Sequence, residues 1–167
     1  MSDDASARLA LPFLAAGQAQ KEMTVNEALA RLDIAVQASA VAGGVDQPPE
    51  TPAIGQCWII GDAPAGAWSG HAGMLAGWTS GGWRFVAPAE GLAVWVEAEG
   101  AVWRRAGGAW KAGELSGSRV VIGGVQVVGA QHAAIAAPSG GDVIDVQARA
   151  TLGAILDAMR SHGLVAD

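Results

Sequence analysis

The sequence predicts an α+β fold with an N-terminal helix, a small Trp-rich antiparallel β module, a β connector and a C-terminal helix. Two observations carry that expectation. One stretch near each end spaces its apolar residues as a helix does. Between them the apolar residues come in short β-branched or aromatic runs, cut by Gly, Pro and Asp. The chain then divides into an arm and helix for docking or oligomerisation over 1–41, a Pro/Gly linker over 42–55, the β module over 56–113, and the connector and C-terminal helix over 114–167.

Residues 1–10 are polar and read as a mobile or docking arm. Leu11–Leu14 reads as an extended entry, followed by a turn near Gly17 and a helix from about Thr24 to Ser39. Met23, Leu29, Leu32 and Val36 make the helical stripe, with Val25, Ala28 and Ala35 beside it. Thr24 is the better N-cap and Asn26 the weaker one. A second reading starts the helix near Ala15, with Gly17 as a flaw. Residues 42–55 hold three prolines and three glycines, the composition of a hinge.

The pattern changes to β at Gln56. Gln56–Ile60 reads as a strand stopped by Gly61 and Asp62. The glycine-rich run after it is loop-like, with Met74–Ala76 as a short strand. Trp83–Val86 is a strand ended by Pro88. Leu92–Ala98 and Ala101–Arg105 pair across a two-residue turn, Glu99-Gly100, and Gly107-Gly108 turns into Ala109–Lys111. On that hairpin Trp95 and Trp103 are expected as neighbours on one face.

Arg119–Val128 is a hairpin or a bulged strand, and 130–141 an Ala-rich connector. Asp145 caps a helix running from Val146 to about Ser161, with Arg160 and His162 favourable in its last turn. Gly163 suits the position after the C-cap, bringing Leu164 back to Met159. Leu152, Ile155, Leu156 and Met159 form a narrow stripe, flanked by the small residues Ala148, Gly153 and Ala154. The stripe suits packing on symmetry mates or on the Trp module.

Composition narrows the function. Glycine is 24 of 167 residues, about twice the usual share. Large aliphatic residues are few, so an isolated core would be thin, and oligomerisation is a remedy. Net charge is −6 and the only adjacent basic pair is Arg104-Arg105, which argues against nucleic acid as a partner. No apolar run approaches the length of a membrane span, and the acidic start MSDDASAR lacks a signal-peptide core. The expectation is a protein made in the bacterial cytoplasm without a signal peptide. Cys57 is the single cysteine, which excludes an internal disulfide.

No catalytic residues, cofactor or metal site are expected. Asp62, Ser69 and His71 lack a nucleophile elbow, and no His, Cys or carboxylate pair has ligand spacing. Asp142 and Asp145 are too sparse for a calcium loop. Cys57 beside Trp58 reads as a small buried hydrophobe.

The seven tryptophans fall between Trp58 and Trp110. They serve as core filler in a Leu- and Ile-poor module, or some are exposed and stack on sugar rings. The region distantly resembles small Trp-rich sheet modules that bind chitin or cellulose. Trp68 and Trp78, in glycine-rich sequence, are the sugar-binding candidates, with His71 beside them. The candidate oligomer or docking interface is Gln18, Gln20, Lys21, Asn26, Leu29 and Leu32, together with Leu152, Ile155, Leu156 and Met159.

Three stretches carry a family resemblance. The first is Gly17, Gln18, Ala19, Gln20 and Lys21, then Asn26, Glu27, Ala28 and Leu29, then Leu32 and Asp33. The second is the Trp-rich middle, GAWSGHAG and GGWRFVAPAEG. The third is the C-terminal ARATLGAILDAMRSHGL. Together they resemble a family of uncharacterised proteins of prophages and gene transfer agents, found in tail-fibre or head-spike gene neighbourhoods. The resemblance implies a structural subunit of a phage-like particle: a homo-oligomer, trimeric for a fibre or pentameric for a vertex. It would contact other particle proteins through its N-terminal helix and cell-surface polysaccharide through its Trp loops. The alternative is a carbohydrate-binding module with no assembly role.

Overall fold

The computed structural model describes residues 4–15, 17, 21–140 and 145–166, and the chain divides into two units, 1–114 and 115–167. The architecture is α+β.

In the first unit, helix α1 spans Lys21–Ala35. It starts before Thr24, so Thr24 and Asn26 both lie inside the helix and neither caps it. The Asn26 side-chain amide instead pairs with the Leu14 backbone, accepting from Leu14 N at 2.8 Å and donating to Leu14 O at 3.0 Å. The helix stops before Ser39 because Gln37 takes a left-handed φ of 48°. Beyond it, β1 (Ser39–Ala40) runs parallel to β5 (Ala93–Val96).

The apolar stripe of α1 does not face inward as its spacing predicts. Met23, Val25, Leu32 and Val36 of the apolar stripe are exposed, while Asp33 and Ile34 are buried. Polar residues take the inner face because they fasten the helix to its neighbours, as described below.

Two sheets follow. One has the order β2-β3-β4, with β2 Cys57–Ile59, β3 Leu75–Thr79 and β4 Gly82–Val86, all antiparallel. The other has the order β1-β5-β6-β7, with β6 Ala101–Ala106 and β7 Ala109–Ala112. Strand alternation sorts the first sheet's side chains into two layers. Cys57, Ile59 and Leu75 join Ile34, Ala38, Ala40, Val94 and Val96 in one cluster. Trp58, Ile60 and Ala76 join Trp68 in the other, with Trp78, Trp83 and Phe85 packed against it. The indoles meet edge to face, Trp68 on Trp83 at 5.1 Å and Trp78 on Trp83 at 4.9 Å between ring centroids.

Residues 42–55 are not a hinge. Val41 N donates to Cys57 O, Ile59 N to Ala42 O, and Gly61 N to Val45 O. Its first residues, up to Val45, thus run beside β2, and its last, Gly55, donates to Trp78 O; arm, helix, this segment and β module belong to one unit. The turn between β5 and β6 holds four residues, Glu97–Gly100, because Val96 pairs with Ala101. In this register Trp95 lies opposite Val102 and Trp103 opposite Val94, so the two indoles take opposite faces. Gly107 and Gly108 form the expected two-residue turn, both at positive φ, with their N–H groups held by Glu90 at 2.9 and 2.8 Å.

Gly77 marks where α1 meets the sheet. A methyl group built on it would come within 2.5 Å of Ile34 Cδ1 and 2.6 Å of Ile34 Cγ1, so the buried isoleucine would have to shift. Gly77→Ala is therefore expected to cost about 2 kcal/mol by overpacking. Urea unfolding checks this, and an unchanged midpoint would contradict the close approach.

In the second unit, β8 (Val120–Ile122) and β9 (Val125–Val128) form a hairpin closed by Gly123 and Gly124, at φ 57° and 81°. Its register shifts between Val120 and Val121, so hairpin and irregularity are both present. Helix α2 spans Val146–Ser161, and Asp145 caps it by accepting from Ala148 N at 2.9 Å. Its end is the expected Schellman pair, Leu164 N to Met159 O and Gly163 N to Arg160 O, with Gly163 at φ 69°. Val165, bridged to His132, and Leu156 are the buried hydrophobic residues of the described part of this unit.

Candidate functional site

The N-terminal arm is clamped rather than mobile over its described residues. Ser6 N bonds Leu11 O and Phe13 N bonds Asp4 O, folding 4–13 back on itself. Asp33, 5% exposed, receives that fold. Its carboxylate accepts from Ser6 Oγ at 2.6 Å, Leu9 N at 2.6 Å and Arg8 N at 3.0 Å. The Arg8 guanidinium caps the same helix, donating to the carbonyls of Asp33, Ile34 and Gln37. The arm thus satisfies the helix's last carbonyls, which have no partners within the helix.

Glu27 fastens the other side of α1. It accepts from Arg84 Nε of β4 at 2.6 Å and from Arg31 Nε at 2.9 Å. Burial pushes its carboxyl up, but the hydrogen bonds and charges of the two arginines outweigh that and hold it below its ordinary 4.5. A depressed folded value stabilises fully above the unfolded value and loses that contribution as pH falls through the lower one. Glu27→Gln is therefore expected to be less stable at neutral pH, with the gap closing as pH drops below 4.5. Unfolding midpoints against pH check this; a gap constant down to pH 3 would contradict it.

Between arm, α1 and the β3–β4 turn lies a cleft of about 390 Å³, flanked by Phe13, Asn26, Ile34, Ser80 and Arg84. The charges in it are already matched or bonded: Glu27 to Arg84, Asp33 to the arm, and Arg8 to the helix carbonyls. Cys57 also lines it, but burial pushes its thiol up to about 11, so it is protonated and unreactive at neutral pH. Among the described residues, no three His, Cys, Asp or Glu side chains come together as metal ligands would.

The sugar-binding candidates do not converge on an exposed surface. Trp68 is 0% exposed in a 3₁₀ turn over Gly66–Trp68, so it cannot stack on a sugar. The glycines around it serve to fold the loop over the sheet. Trp78 lies in β3, half-buried against Trp83. His71 stacks on Phe85 at 3.7 Å between ring centroids.

Of the docking candidates, Gln18 and Gln20 lie outside the described residues. Lys21 is exposed at the start of α1, Leu29 is half-buried, and Asn26 is engaged with Leu14. Leu32 is exposed on the outer side of α1. In α2, Leu152 and Ile155 are 49% and 50% exposed, Met159 is half-buried, and Leu156 is buried. Val120, Val121, Ile122, Val125, Val127 and Val128 of the hairpin are exposed as well.

One surface escaped the sequence reading. The outer face of the four-stranded sheet carries Trp95, Val102, Arg104 and Lys111. Trp95 pairs with Val102, and Arg104 pairs with Lys111. Trp95 is 46% exposed, while its neighbours Val94 and Val96 are buried. The alternating run Ala93–Val96 held the signal, since a hairpin closed by either two or four residues sets Trp95 and Trp103 on opposite faces.

Among the described residues no helix is long and apolar enough to cross a membrane. Comparison with curated proteins finds no match. A family model matches residues 25–111, which takes in Asn26 to Asp33 and the Trp-rich middle. The Gly17–Lys21 stretch and the C-terminal helix lie outside the match, which ends within β7. The match covers more than half of the chain, which therefore belongs to the family described as "Protein of unknown function (DUF2793)".

Proposed function

We propose that the chain is a non-catalytic structural subunit of a phage-like particle. It self-assembles as a homo-oligomer through residues 115–167 and carries its first unit as the part that attaches to the cell surface. The observation behind this reading is the uncovered apolar surface of the second unit. Six valine and isoleucine side chains of β8 and β9 are exposed, as are Leu152 and Ile155 of α2. A lone two-stranded hairpin is marginal in water, and exposed apolar patches of this kind mark interaction surfaces. Copies of the same chain supply a suitable cover, because the unit carries almost no charge to repel its mates. Arg119, Arg149 and Arg160 stand against Asp142, Asp145, Asp157 and Asp167, leaving −1 of the chain's −6.

The particle setting rests on the resemblance to prophage and gene transfer agent proteins. This assignment moves the assembly element from the N-terminal arm, which is spent on α1, to the C-terminal unit. The test is to fractionate particles from a bacterium that encodes the chain. Full-length protein should co-purify with the particles, and a chain ending at Glu114 should not. Full-length protein absent from the particles, or the shortened chain retained on them, would overturn the proposal.

A further inference from the structure

We propose that the outer face of the β1-β5-β6-β7 sheet, centred on Trp95, Arg104 and Lys111, binds a carboxylate-bearing polysaccharide. This deepens the attachment role proposed above and rests on it only for placing the ligand on a cell surface.

The placement follows from register. Residues opposite each other on adjacent strands share a face, as do residues two apart on one strand. Trp95 lies opposite Val102, Ala93 opposite Arg104, and Arg104 opposite Lys111. All five therefore lie on one face, away from the buried Val94 and Val96. The result is an exposed indole on the same sheet face as two cations, Lys111 exposed and Arg104 half-buried.

The two cations are set against their own interest. Like charges directly opposite on neighbouring strands repel. The ion pairs among the described residues are Arg31–Glu27, Arg84–Glu27 and Arg160–Asp157, and none relieves Arg104 or Lys111. In a chain of net charge −6, such a pair is complementary to an anion from outside. The other face of the sheet shows the contrast, since there Arg105 lies over the Trp110 ring at 5.9 Å.

An acidic sugar chain fits both halves of the surface. The C–H face of a pyranose stacks on an indole, and its ring carboxylate reaches a guanidinium or ammonium group. Two cations suit a polymer with one charge per ring or fewer. A nucleic acid, with denser charge, would meet the acidic remainder of the protein.

Isotope-labelled full-length protein would be titrated with trigalacturonate, with an alginate trimer and with neutral maltotriose, following the indole N–H signals. The acidic trimers should shift the Trp95 signal saturably, and maltotriose should not. Trp95→Ala and the double change Arg104→Gln with Lys111→Gln should each weaken binding at least about tenfold. The double change should also remove most of the salt dependence. Trp95 and Lys111 are exposed and Arg104 is half-buried, and unchanged indole signals elsewhere would show the fold intact.

No shift with either acidic trimer would overturn the proposal. So would equal shifts with maltotriose, undiminished binding by the double variant, or equally tight binding of a short polyglutamate. Oligomer mass reports separately on the C-terminal unit, so failure here and failure of the assembly reading are distinguishable.

Discussion

Asp33→Ala is expected to destabilise the first unit by about 3 kcal/mol. The carboxylate is buried and accepts three hydrogen bonds, from Ser6 Oγ, Arg8 N and Leu9 N. Truncation leaves those donors without partners at the place where the arm meets α1. Hydrogen bonds to a charged group contribute more than neutral ones, and a stranded buried donor costs its full desolvation. The melting temperature should fall by on the order of 10 °C. The arm should also come free, so trypsin should cut after Arg8 in the variant well before it cuts the native chain. A variant melting within a degree or two of the native protein would refute the clamp.

The second large effect belongs to the C-terminal unit. Ile122→Asp combined with Ile155→Asp is expected to weaken self-association by about a thousandfold or more, since each new carboxylate must be desolvated in the interface. Ile122 is 65% exposed and Ile155 50% exposed, so neither change disturbs a core within one chain. Sedimentation at falling concentration reads the result. The double variant should dissociate where the native chain remains associated, and equal dissociation profiles would remove this surface from the interface.

The helices and turns were legible because their signals are local. Asp145, Gly163 and the Gly107-Gly108 and Gly123-Gly124 pairs each impose a backbone state that few other residues accept. Registers were less legible. Glu99-Gly100 looked like a two-residue turn, yet the chain uses four residues, and that moves Trp95 from a place opposite Arg104 to one opposite Val102. In either register Trp95 and Trp103 take opposite faces, so their pairing on one face did not follow from the turn. The inward face of α1 was illegible for a different reason. Its partners Ser6, Arg8 and Arg84 are 27, 25 and 57 residues away from their acceptors, so a polar inner face cannot be inferred from helical periodicity. The same holds for 42–55, where proline and glycine spell a hinge but the two ends are hydrogen-bonded to the sheet, Ala42 and Val45 beside β2 and Gly55 to Trp78. Of the α2 stripe, Leu152 and Ile155 are exposed and Leu156 is buried, a split that helical periodicity alone does not assign. Trp68 was misplaced because a glycine-rich loop can fold over a sheet as readily as it can stand in solvent.

The central claim is that residues 115–167 bind copies of the same chain. Light scattering coupled to size exclusion, run on the full chain and on a chain ending at Glu114, tests it most directly. The full chain should run as a discrete oligomer, trimer or pentamer, and the shortened one as a folded monomer. A full chain that elutes as a monomer at every concentration, or a shortened chain that keeps the same oligomer, would contradict it.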